Sequence, residues 1–168
     1  MVQRKPILHA FAPFIPDGAR ILILGTMPSP KSRENGFYYG HPQNRFWPAL
    51  AKTFGEESPL TVEQRQSFLT RHRIALWDTL ASCEIAGADD ASIRNPIAND
   101  IRPILDTNPI QAIFTTGAKA AVYYEKLILP YTNMPAIALP SPSPANCRYY
   151  TLETLSEAYA VIRKLCDE

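Results

Sequence analysis

The sequence predicts an α/β fold of three layers, α/β/α, around a central four-stranded parallel sheet. Three observations predict it. Four short apolar runs, at residues 20–25, 74–77, 110–115 and 136–139, are nearly continuous rather than alternating, which suits strands covered on both faces. Helical patterns lie between them, and strand–helix alternation implies parallel neighbours joined by right-handed crossovers. The chain has 168 residues with no internal repeat or linker-like stretch, so a single domain over 1–168 is expected.

The elements follow in order. Residues 20–25 (RILILG) form the first strand. A helix over 44–54 comes next, with Pro48 tolerable only in its opening turn. A second helix spans 61–71, where Thr61 and Gln64 stand at capping-box spacing. The strand at 74–77 (IALW) follows, then a helix over 99–106. The strand at 110–115 leads into a helix over 117–129, and the fourth strand is 136–139. The last helix starts near Thr151; Leu152, Leu155, Tyr159, Ile162 and Leu165 recur at spacings of three and four and share one face.

Composition excludes several function classes. Lys and Arg nearly balance Asp and Glu, for a net charge of +1, so any nucleic-acid contact must come from local basic residues and not from a global field. Cys83, Cys147 and Cys166 are too few and too scattered for an iron–sulfur cluster or a disulfide framework, and point to a reducing, cytoplasmic setting. His9, His41 and His72 show no metal-site spacing, so neither metal nor cofactor is expected. The N-terminal residues lack the apolar run of a signal peptide, and no stretch approaches the length of a membrane span. The chain also lacks the Gly-x-Ser-x-Gly elbow and the phosphate-binding Gly-Lys-Ser/Thr loop of small-molecule hydrolases and nucleotidases. Sixteen prolines are about double the usual 5% share, and several stiffen two loops, 28–30 and 140–144.

Ligands of open α/β sheets bind outside the carboxyl ends of the strands. Here those ends run into GTMPSP (25–30), Trp77-Asp78, Thr116-Gly117 and PSPSPAN (140–146), which predicts one site at that edge. Gly25 lets the backbone turn and approach a ligand. Phe37, Tyr38 and Tyr39 offer a flat surface for stacking a base; equally, such a trio packs a core. Asn44 carries both a donor and an acceptor, or serves as the cap of the following helix. Lys31, Arg33 and Arg45 are candidate phosphate contacts. Glu34 and Asp78 are the nearest carboxylates, though acidic loop residues are usually solvated.

The string GTMPSP, followed by FYYGHPQNRFW (37–47) and LPSPSPAN (139–146), resembles the uracil-DNA-glycosylase superfamily. Residues 25–29 match its Gly-x-x-Pro-small element, and His-Pro-x-Asn-Arg-Phe-Trp is the rarest part of the match. The Pro-Ser-x-Ser-Pro-Ala-Asn form resembles the DNA-deoxyinosine (hypoxanthine) branch, which is related to the mismatch-specific uracil glycosylases. The resemblance covers about residues 18–166.

It implies a monofunctional glycosylase that flips a deaminated base, hypoxanthine first among them, out of damaged DNA and hydrolyses its N-glycosidic bond without cutting the strand. It implies that Gly25, Thr26, Met27, Pro28, Tyr39 and Ser141 line the substrate site, with Tyr39 stacking on the base. Lys31, Arg45, Ser143, Asn146 and Arg148 would contact DNA, while Pro144 and Ala145 wedge into the stack. One position departs from the pattern. Mismatch-specific and double-strand uracil glycosylases carry a catalytic Asn or Asp where this chain has Met27, and a thioether is no base. The resemblance to the deoxyinosine branch moves the catalytic role to Asn44, which would donate to the leaving base or orient a water. Neither Lys31 nor Lys119 is placed as a Schiff-base nucleophile. The rival readings are a uracil or mismatch-specific glycosylase and a binder of nucleic acid or nucleotides that has lost the chemistry. A monomer is the expected state.

Overall fold

A computed structural model describes residues 5–8, 12–27, 32, 36–86 and 89–167. The central sheet has four parallel strands in the order β3-β2-β6-β7, formed by β2 (Ile21–Gly25), β3 (Ile74–Asp78), β6 (Ala112–Thr116) and β7 (Ala136–Leu139). Ile21 pairs with Ile74 on one side and with Ala112 on the other, and Gly25 lies opposite Asp78. Every residue of β2 is buried, which explains its unbroken apolar run.

The two faces of β2 feed two cores. Ile21 and Ile23 point into a layer holding Trp47, Leu50, Phe68, Leu155, Tyr159 and Ile162. Those side chains come from α1 (Phe46–Thr53), α2 (Val62–His72) and α6 (Leu152–Cys166). Leu22 and Leu24 point the other way, toward Ile101, Ile104, Tyr124 and Ile128. This second layer holds α3 (Arg102–Thr107) and a segment that runs from α4 (Ala118–Tyr123) through a π-helical stretch, Tyr124–Ile128, into α5 (Leu129–Thr132). The α/β/α layering is therefore as the sequence predicts.

Helix ends differ from expectation by a few residues, for local reasons. The predicted helix at 99–106 begins only at Arg102, because Asn99 is held by β3 and its successor: its Nδ2 donates to the carbonyls of Asp78 and Leu80. The predicted helix at 117–129 widens into the π stretch just before Pro130, which has no N–H to return to Lys126. The capping box of α2 forms as the spacing predicts, with Gln64 N–H donating to Thr61 Oγ1 at 3.1 Å. Thr61→Ala is expected to destabilise the fold by about 1 kcal/mol, read as a lower urea midpoint at unchanged slope.

The sequence predicts no element between 79 and 98, and here the structure adds a second sheet. Strands β1 (Lys5–Leu8), β4 (Leu80–Ala86) and β5 (Asp89–Ala98) form an antiparallel sheet in the order β1-β4-β5. The register of β4 on β5 shifts repeatedly, so the period-two signal is broken. Pro96 and the polar composition of β5 weaken it further. Leu80, Cys83, Ile85 and Ile93 make a small third core beneath this sheet, packed on Met27, Tyr123 and Leu127. No described helix is long and apolar enough to cross a membrane.

Candidate active site

The carboxyl ends of β2, β3 and β6 open onto a pocket of about 340 Å³, at the small end of ligand sites. Its floor is Gly25, Thr26, Met27, Asp78 and Thr116, and its walls are Ser32, Tyr38, Tyr39, His41 and Asn44. The rim is Ser141–Ala145, and Ile85 closes one side. Most of the sequence-predicted substrate set, Gly25, Thr26, Met27, Tyr39, Asn44 and Ser141, thus meets in one place, with Ser143, Pro144 and Ala145 at its edge. Pro28, Lys31, Arg33 and Glu34 lie outside the described residues.

Gly25 sits where the pocket is tightest. A Cβ there would lie 2.5 Å from Asp78 Oδ1 and 3.3 Å from Tyr39 Oη. The missing side chain is the space that the Asp78 carboxylate occupies. Asp78 is 4% exposed and is placed by its pairing with Gly25 across β2 and β3. Its charge acts on its neighbours. Burial first, and the Asp78 carboxylate second, push the phenols of Tyr38 and Tyr39 far above the usual tyrosine range. Tyr39 therefore stays a neutral phenol, and its hydroxyl shares a 2.8 Å hydrogen bond with Thr116 Oγ1.

The aromatic trio divides. Phe37 and Tyr38 are buried; Phe37 stacks on Trp47, and the Tyr38 hydroxyl donates to the carbonyl of Ala12. They pack the core, although Tyr38 also reaches the pocket wall. Tyr39 takes a left-handed conformation, φ 52°, which turns its ring onto Phe46 at a centroid distance of 3.9 Å. One ring face is thereby covered, and only the opposite face is left for stacking on a ligand.

Asn44 precedes α1. Its Oδ1 accepts from the backbone N–H of Phe46 at 2.9 Å, a turn-type bond one residue ahead of the N-cap, which is Arg45 and has no side-chain cap bond. That bond also orients the amide. Among the lining residues of the pocket, Asn44 retains its Nδ2 donor and the second lone pair of Oδ1. His41 Nδ1 accepts from Gln43 N–H at 3.0 Å. Met27 lines the pocket while packing on the Leu80–Cys83–Ile85–Ile93 core, so this part of the floor is apolar.

The second loop is built from its own polar groups. Ser141 Oγ accepts from Ser143 N–H, Ser143 Oγ accepts from Ala145 N–H, and Asn146 Nδ2 donates to the Ser141 carbonyl at 3.0 Å. Asn146 and Arg148 do not line the pocket, and Arg148 is exposed. Arg45 turns inward rather than toward solvent: its guanidinium donates to the carbonyls of Tyr150 and Ser143.

Asp78, Thr116, Ser32, His41 and Ile85 are pocket residues outside the predicted substrate set. Asp78 and Thr116 carried a signal, since both stand at carboxyl ends of strands. Ile85 carried none, because the sheet that presents it was not predicted. Among the described residues, no cluster of three or more His, Cys, Asp or Glu side chains is placed to hold a metal ion.

Comparison with known proteins agrees with this geometry. Residues 12–163 match the model of the uracil DNA glycosylase superfamily. A hypoxanthine DNA glycosylase of Methanosarcina acetivorans is 31% identical over 160 residues, 94% of this chain and 99% of that protein. One from Methanosarcina barkeri is 32% identical over 117 residues, 68% of this chain and 74% of that protein. The solution NMR structure of a Methanosarcina acetivorans protein proposed to be a uracil DNA glycosylase superposes with a TM-score of 0.81 at 31% identity, covering 96% of this chain and 99% of the other. With its fold, its pocket and its sequence in agreement, the chain belongs to the uracil DNA glycosylase superfamily.

Proposed function

We propose that this protein releases hypoxanthine from DNA by hydrolysing the N-glycosidic bond, leaving an abasic site and an intact strand. The observation that carries the reading is a nucleobase-sized pocket lined by two complementary groups, the Asn44 amide donor and the buried Asp78 carboxylate. Deamination turns the ring nitrogen of adenine from an acceptor into the N–H of a lactam. A buried carboxylate accepts from that N–H and repels the lone pair that adenine or cytosine presents instead. Guanine offers the same N–H, but a base in a sound pair costs more to flip than a mismatched one. The two hypoxanthine-acting relatives support the purine over uracil.

In the reaction the electron pair of the C1′–N9 bond leaves with the base. Water adds to C1′, and its proton balances the departing anion. Charge builds on the base and on the sugar, so a donor aimed at the base lowers the barrier most. Asn44 Nδ2 supplies that donor. A route in which the base departs before water bonds asks little of a general base, which is consistent with Met27.

The test uses labelled duplexes carrying hypoxanthine, uracil, xanthine or ethenoadenine, with and without alkali. Release of hypoxanthine, with strand breaks only after alkali, is expected. Breaks before alkali would contradict the monofunctional reading. No release from any duplex would leave the non-catalytic binder.

A further inference from the structure

Arg45 follows Asn44 directly and reaches across to the second loop at several points. Its backbone N–H donates to the Pro142 carbonyl at 3.0 Å. Its Nη2 lies 3.4 Å from the Ser143 carbonyl, and its Nη1 donates to the Tyr150 carbonyl. Those last two carbonyls bracket residues 144–149, the stretch expected to face DNA. One guanidinium therefore closes both ends of that segment. Its Nε is shielded from solvent, so the group is committed to the protein interior. Tyr159 adds a fourth anchor, donating to the Pro140 carbonyl at 2.9 Å. Between the brackets the segment presents Arg148 and Tyr149, the latter 74% exposed.

We infer that Arg45 is a positioning residue. It locks the DNA-facing segment 144–149 to the chain position that carries Asn44, so that engaging the strand and aiming the Nδ2 donor are one geometric event. This rests on the glycosylase reading above and replaces the expectation that Arg45 pairs with a phosphate. A phosphate contact requires a guanidinium free to meet the DNA backbone. Here Nη1 and Nη2 each donate to a carbonyl of the second loop, and Nε is shielded from solvent without a hydrogen-bond partner among the described residues. The planar fork matters as well, because a single ammonium cannot reach two divergent carbonyls with fixed geometry.

The experiment compares wild type with Arg45→Ala and Arg45→Lys in three measurements. The backbone bond to Pro142 survives both changes, so the fold is expected to persist. Hydrogen exchange at the amides of Asn146, Cys147 and Tyr149, each bonded within the loop, should speed up at least about tenfold in Arg45→Ala while β2 and β6 keep their protection. Single-turnover release of hypoxanthine should fall roughly 10–100-fold, with partial recovery in Arg45→Lys. The dependence of undamaged-duplex affinity on salt should keep its slope. A slope reduced by about one, with loop protection and rate intact, identifies a phosphate contact and overturns the proposal. Unchanged exchange and rate overturn it too. If Arg45→Ala does not fold, Arg45→Gln, which also removes the charge, decides by the same readings. Should wild type release no base, the glycosylase reading fails, while loop exchange and salt slope still decide what Arg45 does.

Discussion

Asn44→Ala is expected to lower the rate of hypoxanthine release by about 10²–10³-fold, the usual cost of losing one donor placed where negative charge develops. The side chain has a second task, since its Oδ1 accepts from the N–H of Phe46, the first residue of α1, at 2.9 Å. The same substitution should therefore cost about 1 kcal/mol of stability, measurable by denaturant unfolding and too small to explain the kinetic loss. Asn44→Asp separates the two roles. A carboxylate keeps an acceptor for the Phe46 N–H but has no N–H to offer, so this variant should be as stable as wild type and nearly as slow as Asn44→Ala. Full single-turnover activity in Asn44→Asp would show that acceptance, for instance of a water proton, is the function of this residue. Full activity in Asn44→Ala would place the chemistry elsewhere in the pocket.

Gly25→Ala should be nearly as damaging, although it adds only a methyl group. The new Cβ would stand 2.5 Å from Asp78 Oδ1, closer than any non-bonded contact allows. The carboxylate cannot yield easily, because it lies in a buried floor between β2 and β3, with the Tyr39 hydroxyl 3.3 Å from the same point. Overpacking of this kind costs about 1–3 kcal/mol. The larger effect is on function, since misplacing a recognition group by about 1 Å loses on the order of 10²-fold in rate. The expected pattern is a folded protein with a lower Tm, weaker binding of a hypoxanthine duplex and a much slower single-turnover step. Unchanged kinetics with a lower Tm would remove Asp78 from base recognition and leave Gly25 a packing role alone.

Some of this was legible in the sequence and some was not, for identifiable reasons. The central sheet was legible because β2, β3, β6 and β7 are short runs whose apolar character hardly depends on context. The site edge was legible because strand ends point to it whatever the helices do. Phe37, Tyr38 and Tyr39 were not separable, since three adjacent aromatics in a loop look alike until the left-handed backbone at Tyr39 turns one ring toward the pocket. Arg45 was not legible either: a basic residue beside a predicted site suggests a phosphate partner, and only the tertiary structure sets its guanidinium on the Tyr150 carbonyl, 105 residues away. The antiparallel sheet was invisible because its irregular register breaks the alternation that marks a half-buried strand.

The sequence by itself determined the layered fold, the superfamily resemblance, the gathering of Gly25, Asn44 and the Pro/Ser loop at one edge, and the loss of a base at Met27. Those are properties of residue type and order. Only the tertiary structure decided that Asp78 lies against Gly25 on the pocket floor, that Asn44 lines the pocket while its Oδ1 accepts from Phe46 N–H, and that Ile85 closes a wall. Each of these depends on which atoms of distant segments fill the same small volume, and close packing between elements, not local pattern, settles that.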